Sequence, residues 1–348
     1  MDSFNCVLFP IYNNNTYNNT YNNINKNNKK NNLYFSRIKT DSFFLQNELA
    51  VYDILKTISN NKVYFYTFET IEQINYNEIS DQYPGLDYST MIKNTNTYLV
   101  RYIDKTFFSF EDIFSTCSNK IQIVRFLINS YKKLLQSIHL LLQHNIIHNN
   151  ISLFSVGIDE NKEPVLFKFE LSMVLTKSNI NIHYLRNYFF TYKPNYSYWS
   201  LELHALSYLL SNNLSTFTLK HIDILLEDVI KNNKIISRFG NNIKILYETE
   251  GKKYLSKFIN KPLEYIINEI AIYSTTWDNV RLSIVYLETI IDHFDLSNKF
   301  IQNFIKLLLI NIHFNPALRH CVLKTMDIFD EICYNTDIND FKNIIILH

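Results

Sequence analysis

Side chains suited to acid–base, nucleophilic or metal chemistry are sparse in this sequence, and their spacing argues against several chemistries at once. The four cysteines, Cys6, Cys117, Cys321 and Cys333, form no CxxC pair and no Cys/His cluster with metal-ligand spacing. Neither a zinc site nor a redox dithiol is indicated, and the thiols read as buried or incidental in a reducing compartment. His148 lies in HNIIHNNISLFSVGID and, taken alone, reads as a packed core histidine. Glu48, in QNELAVYDIL, taken alone reads as a solvated helix carboxylate. The 25 Tyr and 26 Phe suggest base-stacking platforms, but Asn, Lys, Ile, Tyr and Phe are all favoured here and all have AT-rich codons. A biased genome explains the aromatics better.

Charge points the same way. With 34 Lys+Arg against 33 Asp+Glu the net charge is +1, so no broad basic field steers the chain to nucleic acid or to an anionic membrane. The opening MDSFNCVLFPIYNNN lacks the positive lead and the apolar core of a secretory signal. The longest apolar runs, around FIKLLLINI and NIIILH, are too short for a membrane span of ~20 residues. The expectation is a cytoplasmic protein that binds neither nucleic acid nor membrane.

The elements that would position a site follow from the apolar spacing. Residues 13–32 hold twelve asparagines, too few apolar groups to offset the entropy of ordering them, so residues 1–32 are expected to be a disordered low-complexity segment. LYFSRIK (33–39) reads as a strand. SFFLQNELAVYDILKTI (42–58) reads as an amphipathic helix. NKVYFYTFETI (61–71) and TYLVRYIDKTF (97–107) read as strands around a loop with Pro84 and Gly85. After residue 120 the pattern turns helical: Val124, Leu127, Tyr131, Leu134, Leu135, Ile138 and Leu142 carry the spacing of one long helix. FSVGIDENKEPVLFKFEL then reads as a hairpin about Asp159 to Lys162. Asn260 to Pro262 reads as a helix start. The fold class is α+β: a small β-rich lobe with one main helix (33–102), a linker (103–120), a large helical lobe (121–334) and a tail (335–348).

The order of the chemical residues on this frame resembles the protein kinases. In that family a helix leads into His-Arg-Asp, four residues, then Asn, then a hairpin ending in Asp-Phe-Gly. In HNIIHNNISLFSVGID, His148 matches the histidine, Asn150 replaces the catalytic aspartate, Ser152 stands where a lysine is frequent, and Ser155 replaces the metal-binding asparagine. Lys168-Phe169-Glu170 stands for Asp-Phe-Gly. Glu202 in YSYWSLELH resembles the Ala-Pro-Glu glutamate, Asp278 in TTWDNVRLSIVYL the aspartate opening the buried central helix, and Arg319 in NPALRH the late arginine that pairs with the glutamate. Upstream, Glu48 resembles the helix glutamate, and Arg37 or Lys39 the strand lysine it pairs with. INKPLEYI and TWDNVRLSIVYL also look like the divergent kinases of large DNA viruses of eukaryotes. The resemblance runs from about residue 33 to 334 and implies a bilobal kinase-like fold.

It also implies that the chemistry is gone. Active kinases rely on a glycine-rich loop, a lysine on the α/β-phosphates and Mg²⁺ held by the Asp-Phe-Gly aspartate and the loop asparagine. No glycine precedes Gly85, Lys168 offers a cation where a metal ligand belongs, and Asn150 is no proton acceptor; losing a general base typically costs ~10²–10⁴-fold. His148, Glu202, Asp278 and Arg319 remain as architecture. The expected function is that of a pseudokinase: a protein-binding or regulatory module with no required cofactor, ATP held if at all without Mg²⁺, and a protein partner such as a kinase or its substrate. The alternatives are an active atypical Ser/Thr kinase using Asp159 or Glu170 as a displaced ligand, and a structural helical protein without kinase ancestry. Residues 203–275 show no catalytic constellation and are expected to elaborate the large lobe.

Overall fold

The computed structural model describes residues 34–74, 96–103, 105–117, 119–175, 181–238, 240–344 and 346. The expected Asn-rich segment 1–32 and the Pro84–Gly85 loop lie outside the described residues. The protein is α+β and mostly helical, with small antiparallel sheets. Its contacts fall into two compact units, Met1–Asp41 with Phe68–Lys105, and Ser42–Thr67 with Thr106–His348.

The first unit is built on three strands, β1 (Tyr34–Thr40), β2 (Thr70–Ile74) and β3 (Thr97–Ile103), ordered β1-β3-β2. Leu99 and Val100 on β3 are both fully buried although they point to opposite faces, as a central strand requires. The register sets Arg37 opposite Val100 and Lys39 opposite Tyr98. Arg37 and Lys39 therefore share one face, and both side chains lie near the Tyr102 ring, at 5.8 and 5.9 Å from its centroid.

The second unit opens with α1 (Phe43–Leu55), capped by Ser42, whose hydroxyl accepts the Leu45 N–H at 3.2 Å. Leu45, Glu48, Val51 and Leu55 form its buried stripe. The expected strand at 61–71 is not formed there. Asn61 donates its side-chain amide to the Leu55 carbonyl, Asn60 takes a left-handed φ of 57°, and Asn61–Val63 close a single 3₁₀ turn. Local side-chain bonding of this kind outcompetes a strand. The chain then runs past Phe65 and becomes a strand only at Thr70, within the first unit.

After α2 (Phe110–Thr116), which carries a Ser109/Asp112 capping box, comes α3 (Lys120–Gln143). Its apolar stripe is buried as its spacing predicts, with Leu142 half-buried. Asn145, at φ 57°, ends the helix in the left-handed region that asparagine tolerates. Two short pairings follow: β4 (Ile146–Ile147) with β7 (Met173–Val174), and the hairpin β5 (Val156–Ile158) with β6 (Pro164–Leu166). Beyond them lie α4 (Ile182–Phe189), α5 (Leu201–Ser211), α6 (Leu219–Asn232), α7 (Lys234–Arg238), α8 (Gly240–Ser256), α9 (Leu263–Ala271), α10 (Trp277–His293), α11 (Lys299–Asn311), α12 (Val322–Asn335) and α13 (Ile338–Lys342). Pro262 is the N-cap of α9, one position ahead of the helix it was expected to begin. The 203–275 stretch supplies α6 to α9 and much of a second apolar cluster around Phe217, Leu225 and Phe258.

α10 is buried over nearly its whole length, which for a helix places it inside the core. Three of its polar side chains find partners there. Asn279 donates to the His320 carbonyl and to Thr325, Ser283 accepts from Asn311, and the Tyr286 hydroxyl donates to Ser130 at 2.7 Å.

Candidate functional site around the His148 loop

The loop 148–155 is bracketed by β4 before it and β5 after it, so its ends are fixed by sheet pairing. Its start is fixed by Asp278, at the first turn of α10, whose carboxylate accepts the backbone N–H of His148 at 2.6 Å and that of Asn149 at 2.9 Å. Asp278 is 1 % exposed. Burial pushes its carboxyl up from the usual range, opposed by the Arg281 charge and the two amides. A buried acceptor carrying several donors is the arrangement that makes such a group tolerable.

His148 is held on every side. Its Nε2 lies 3.0 Å from the Phe167 carbonyl, and its Nδ1 accepts the Asn150 N–H at 3.3 Å. A carbonyl only accepts, so Nε2 carries the proton and the ring is the neutral tautomer. Burial drives its pKa down to about 3. The ring also meets Phe169 edge-on at 4.8 Å, and Phe169 meets Phe65 in the same way at 5.8 Å. His148 is thus a packing and hydrogen-bonding hub.

Two residues that the sequence reading left out complete this corner. Asn149 adopts φ 55°, accepts a hydrogen bond from Arg281 Nη2 and donates to the Leu171 carbonyl at 3.3 Å. Arg281, three residues after Asp278 on α10, has Nη1 3.5 Å from the Asp278 carboxylate and no exposed surface. The signal was present as D-x-x-R at helical spacing, which puts both side chains on one face.

Asn150 and Ser155 close the loop on itself. The Ser155 hydroxyl donates to the Asn150 carbonyl at 2.6 Å and accepts the Ser152 N–H at 2.9 Å, while the Ser152 hydroxyl accepts the Phe154 N–H. Ser155 is fully buried and its hydroxyl is already engaged. Asp159 is likewise committed: one carboxylate oxygen accepts the N–H groups of Asn161 and Glu163, each at 2.9 Å, closing the hairpin turn. Lys168 stands at φ 69° just before the single turn Phe169–Leu171, with its ammonium 5.6 Å from the Phe167 ring centroid. Glu170 is half-buried on that turn. Among the described residues no group of three or more His, Cys, Asp or Glu side chains could hold a metal ion.

Glu48 does not sit in solvent; it belongs to the buried stripe of α1 and is 7 % exposed. It lies in the second unit, whereas Arg37 and Lys39 lie in the first. The neighbour of Glu48, Asn47, fastens α1 to the segment after the hairpin. Its amide donates to the Glu170 and Ser172 carbonyls at 3.0 and 2.6 Å and accepts from the Tyr188 hydroxyl at 3.0 Å. The sequence offered no signal for Asn47, one asparagine among very many.

A second charged pair lies in the helical core. Arg319 grips Glu202 with both terminal nitrogens, Nη1 to Oε1 at 2.5 Å and Nη2 to Oε2 at 2.8 Å, while its Nε donates to the His313 carbonyl at 2.6 Å. Burial would raise the Glu202 pKa, but the Arg319 charge and its two hydrogen bonds win and hold it below the usual carboxylate range. The structure therefore brings together His148 with Asp278, and Glu202 with Arg319. No family model and no curated protein matches the chain.

Proposed function

We propose that this chain is a pseudokinase of the bilobal protein-kinase-like kind, related to the divergent kinases of large DNA viruses, and that it works as a protein-binding or regulatory module. The observation that carries this reading is the Asp278 carboxylate on the consecutive amides of His148 and Asn149. A helical bundle without kinase ancestry has no need for an aspartate opening its central helix to seize a loop 130 residues upstream. The bidentate Glu202–Arg319 pair supports the same reading from an independent part of the chain.

The loop chemistry supports the loss of transfer. Phosphoryl transfer is positioning plus neutralisation of the phosphates by metal and cation. Asn150 lacks a basic oxygen, the Ser155 hydroxyl is spent on the loop, and Lys168 brings positive charge to the place of a metal ligand. Asp159, one of the two carboxylates (with Glu170) that an atypical kinase would recruit, has its Oδ1 engaged in the hairpin turn. The reading requires no cofactor and is compatible with ATP held without Mg²⁺; the partner class is a protein, with a kinase or its substrate the first to search.

The test is phosphotransfer from γ-labelled ATP, to the chain itself and to a generic acceptor protein. No Mg²⁺-dependent incorporation by the wild type is expected. Incorporation that an Asn150→Ala variant abolishes would overturn the reading.

A further inference from the structure

A cavity of about 170 Å³ lies where α11, α12 and α13 meet. Helical spacing puts its lining on one side of each long helix. Lys299 and Asn303 are four residues apart on α11, and Glu331 and Ile332 follow Ile328 by three and four residues on α12, so each set shares a face. Asp340 on α13 closes the third side. The walls are anchored from behind. Phe304 of α11 meets Phe329 of α12 with ring centroids 4.6 Å apart, and Phe341 of α13 meets Phe300 at 5.0 Å. The Asn298 amide donates to the Asp340 carbonyl at 2.8 Å, while its side-chain oxygen accepts the Ile301 N–H and caps α11. Ile328 and Ile332 are half-buried against the main apolar core and give the cavity an apolar wall.

The polar groups of the lining are left over by the fold. Among the described residues, Lys299, Glu331 and Asp340 enter no ion pair, and the Asn303 side chain makes no hydrogen bond. Asp330, the neighbour of Glu331, is by contrast paired with Lys132 at 2.5 Å. Lys299 is the first residue of α11, and that first turn holds no acidic residue. The helix dipole disfavours a cation there, so the helix itself gains nothing from this lysine. One ammonium and two carboxylates thus line a single cavity without neutralising one another.

We propose that this cavity is a binding site for a free apolar α-amino acid, its carboxylate on Lys299 and Asn303, its ammonium on Glu331 and Asp340, and its side chain on Ile328 and Ile332. Size and charge select the class together. The volume is below the ~300–1,000 Å³ of ordinary small-molecule sites, which leaves room for a molecule of amino-acid size. A plain carboxylate would meet the two acidic side chains with a like charge, and a plain amine would leave the lysine without an anion. An ammonium has three donors, enough for both carboxylates, and charge-assisted hydrogen bonds at both ends of the ligand supply the affinity. Because its contacts come from three helices, the bound molecule ties α13 to α11 and α12. None of these residues belongs to the His148 loop or to the Glu202–Arg319 pair, so the site is independent of the kinase-like reading.

The experiment is calorimetric titration of the full chain at neutral pH with L-leucine, and with isocaproate and isoamylamine, which lack its ammonium and its carboxylate in turn. Saturable leucine binding at one site is expected, with each truncated probe at least about tenfold weaker. Lys299→Met and Glu331→Gln/Asp340→Asn should each weaken leucine by about tenfold or more. Lys306→Met, a change on the same helix outside the cavity lining, should bind leucine as the wild type does. Lys299 and Glu331 are exposed and Asp340 is half-buried, so these variants are expected to keep the wild-type urea midpoint. No saturable leucine binding by the wild type, equal binding by Lys299→Met, or a truncated probe that binds as tightly as leucine would overturn the proposal. The titration uses neither nucleotide nor metal, so its outcome and that of the phosphotransfer test are separate.

Discussion

The carboxylate of Asp278 stands 2.6 Å from the backbone nitrogen of His148, a residue 130 positions earlier in the chain. One side chain at the start of the buried helix thereby sets where the loop 148–155 begins. Asp278→Asn keeps the shape but replaces one acceptor oxygen with a donor that faces an N–H, and it leaves Arg281 buried without its counter-ion. Breaking a buried charged pair from one side typically costs about 3–5 kcal/mol. Urea denaturation should show a loss of that size, with the midpoint falling and the slope unchanged. A loss below about 1 kcal/mol would mean that the carboxylate is not the anchor the geometry makes it.

Glu202 and Arg319 are best tested as a cycle. Each single variant, Glu202→Gln and Arg319→Met, strands the other partner in the core and should cost about 3–5 kcal/mol. The double variant should cost far less than the sum of the two, because no uncompensated charge remains. Additive losses would show that the two side chains act separately.

Acid stability depends on two buried histidines. Burial drives the pKa of both His148 and His204 down to about 3, whereas in the unfolded chain histidine titrates near ~6.5. The folded pKa is the lower one, so as pH falls from about 6.5 the unfolded chain takes up protons that the folded chain refuses, and stability falls towards pH 3. The slope reaches at most ~1.4 kcal/mol per pH unit for each histidine. Glu202, held low by Arg319, adds its own loss only below its unfolded value of ~4.3. Asp278, pushed up by burial, works in the opposite sense, so the informative quantity is the difference between proteins. Between pH 7 and pH 5, His148→Gln/His204→Gln should lose less stability than the wild type. Parallel profiles would contradict the burial of both rings.

Much of this architecture was legible because burial leaves strong marks on a sequence. The apolar run of the helix that opens with Trp277-Asp278, and the stripe from Val124 to Leu142, mark core elements, and Glu202 and Arg319 stand out as charges among apolar neighbours. What stayed hidden was decided by local polar bonding or by space. Asn60 and Asn61 turned an expected strand into a 3₁₀ turn, Asn149 gained its role from a left-handed φ, and Asn47 from carbonyls 123 and 125 residues away. In a chain this rich in asparagine, residue type does not single out the ones that matter. Glu48 illustrates the opposite error: its type suggests solvent, while its place in the 45-48-51-55 stripe puts it inside.

The central claim, that kinase-like architecture persists without metal-assisted chemistry, is tested most directly by thermal-shift titration with ATP, in the presence and absence of Mg²⁺. The account predicts no Mg²⁺-dependent stabilisation of the wild type at any nucleotide concentration. A Mg-ATP shift that grows with ligand, as linkage requires of specific binding to the folded state, would contradict it.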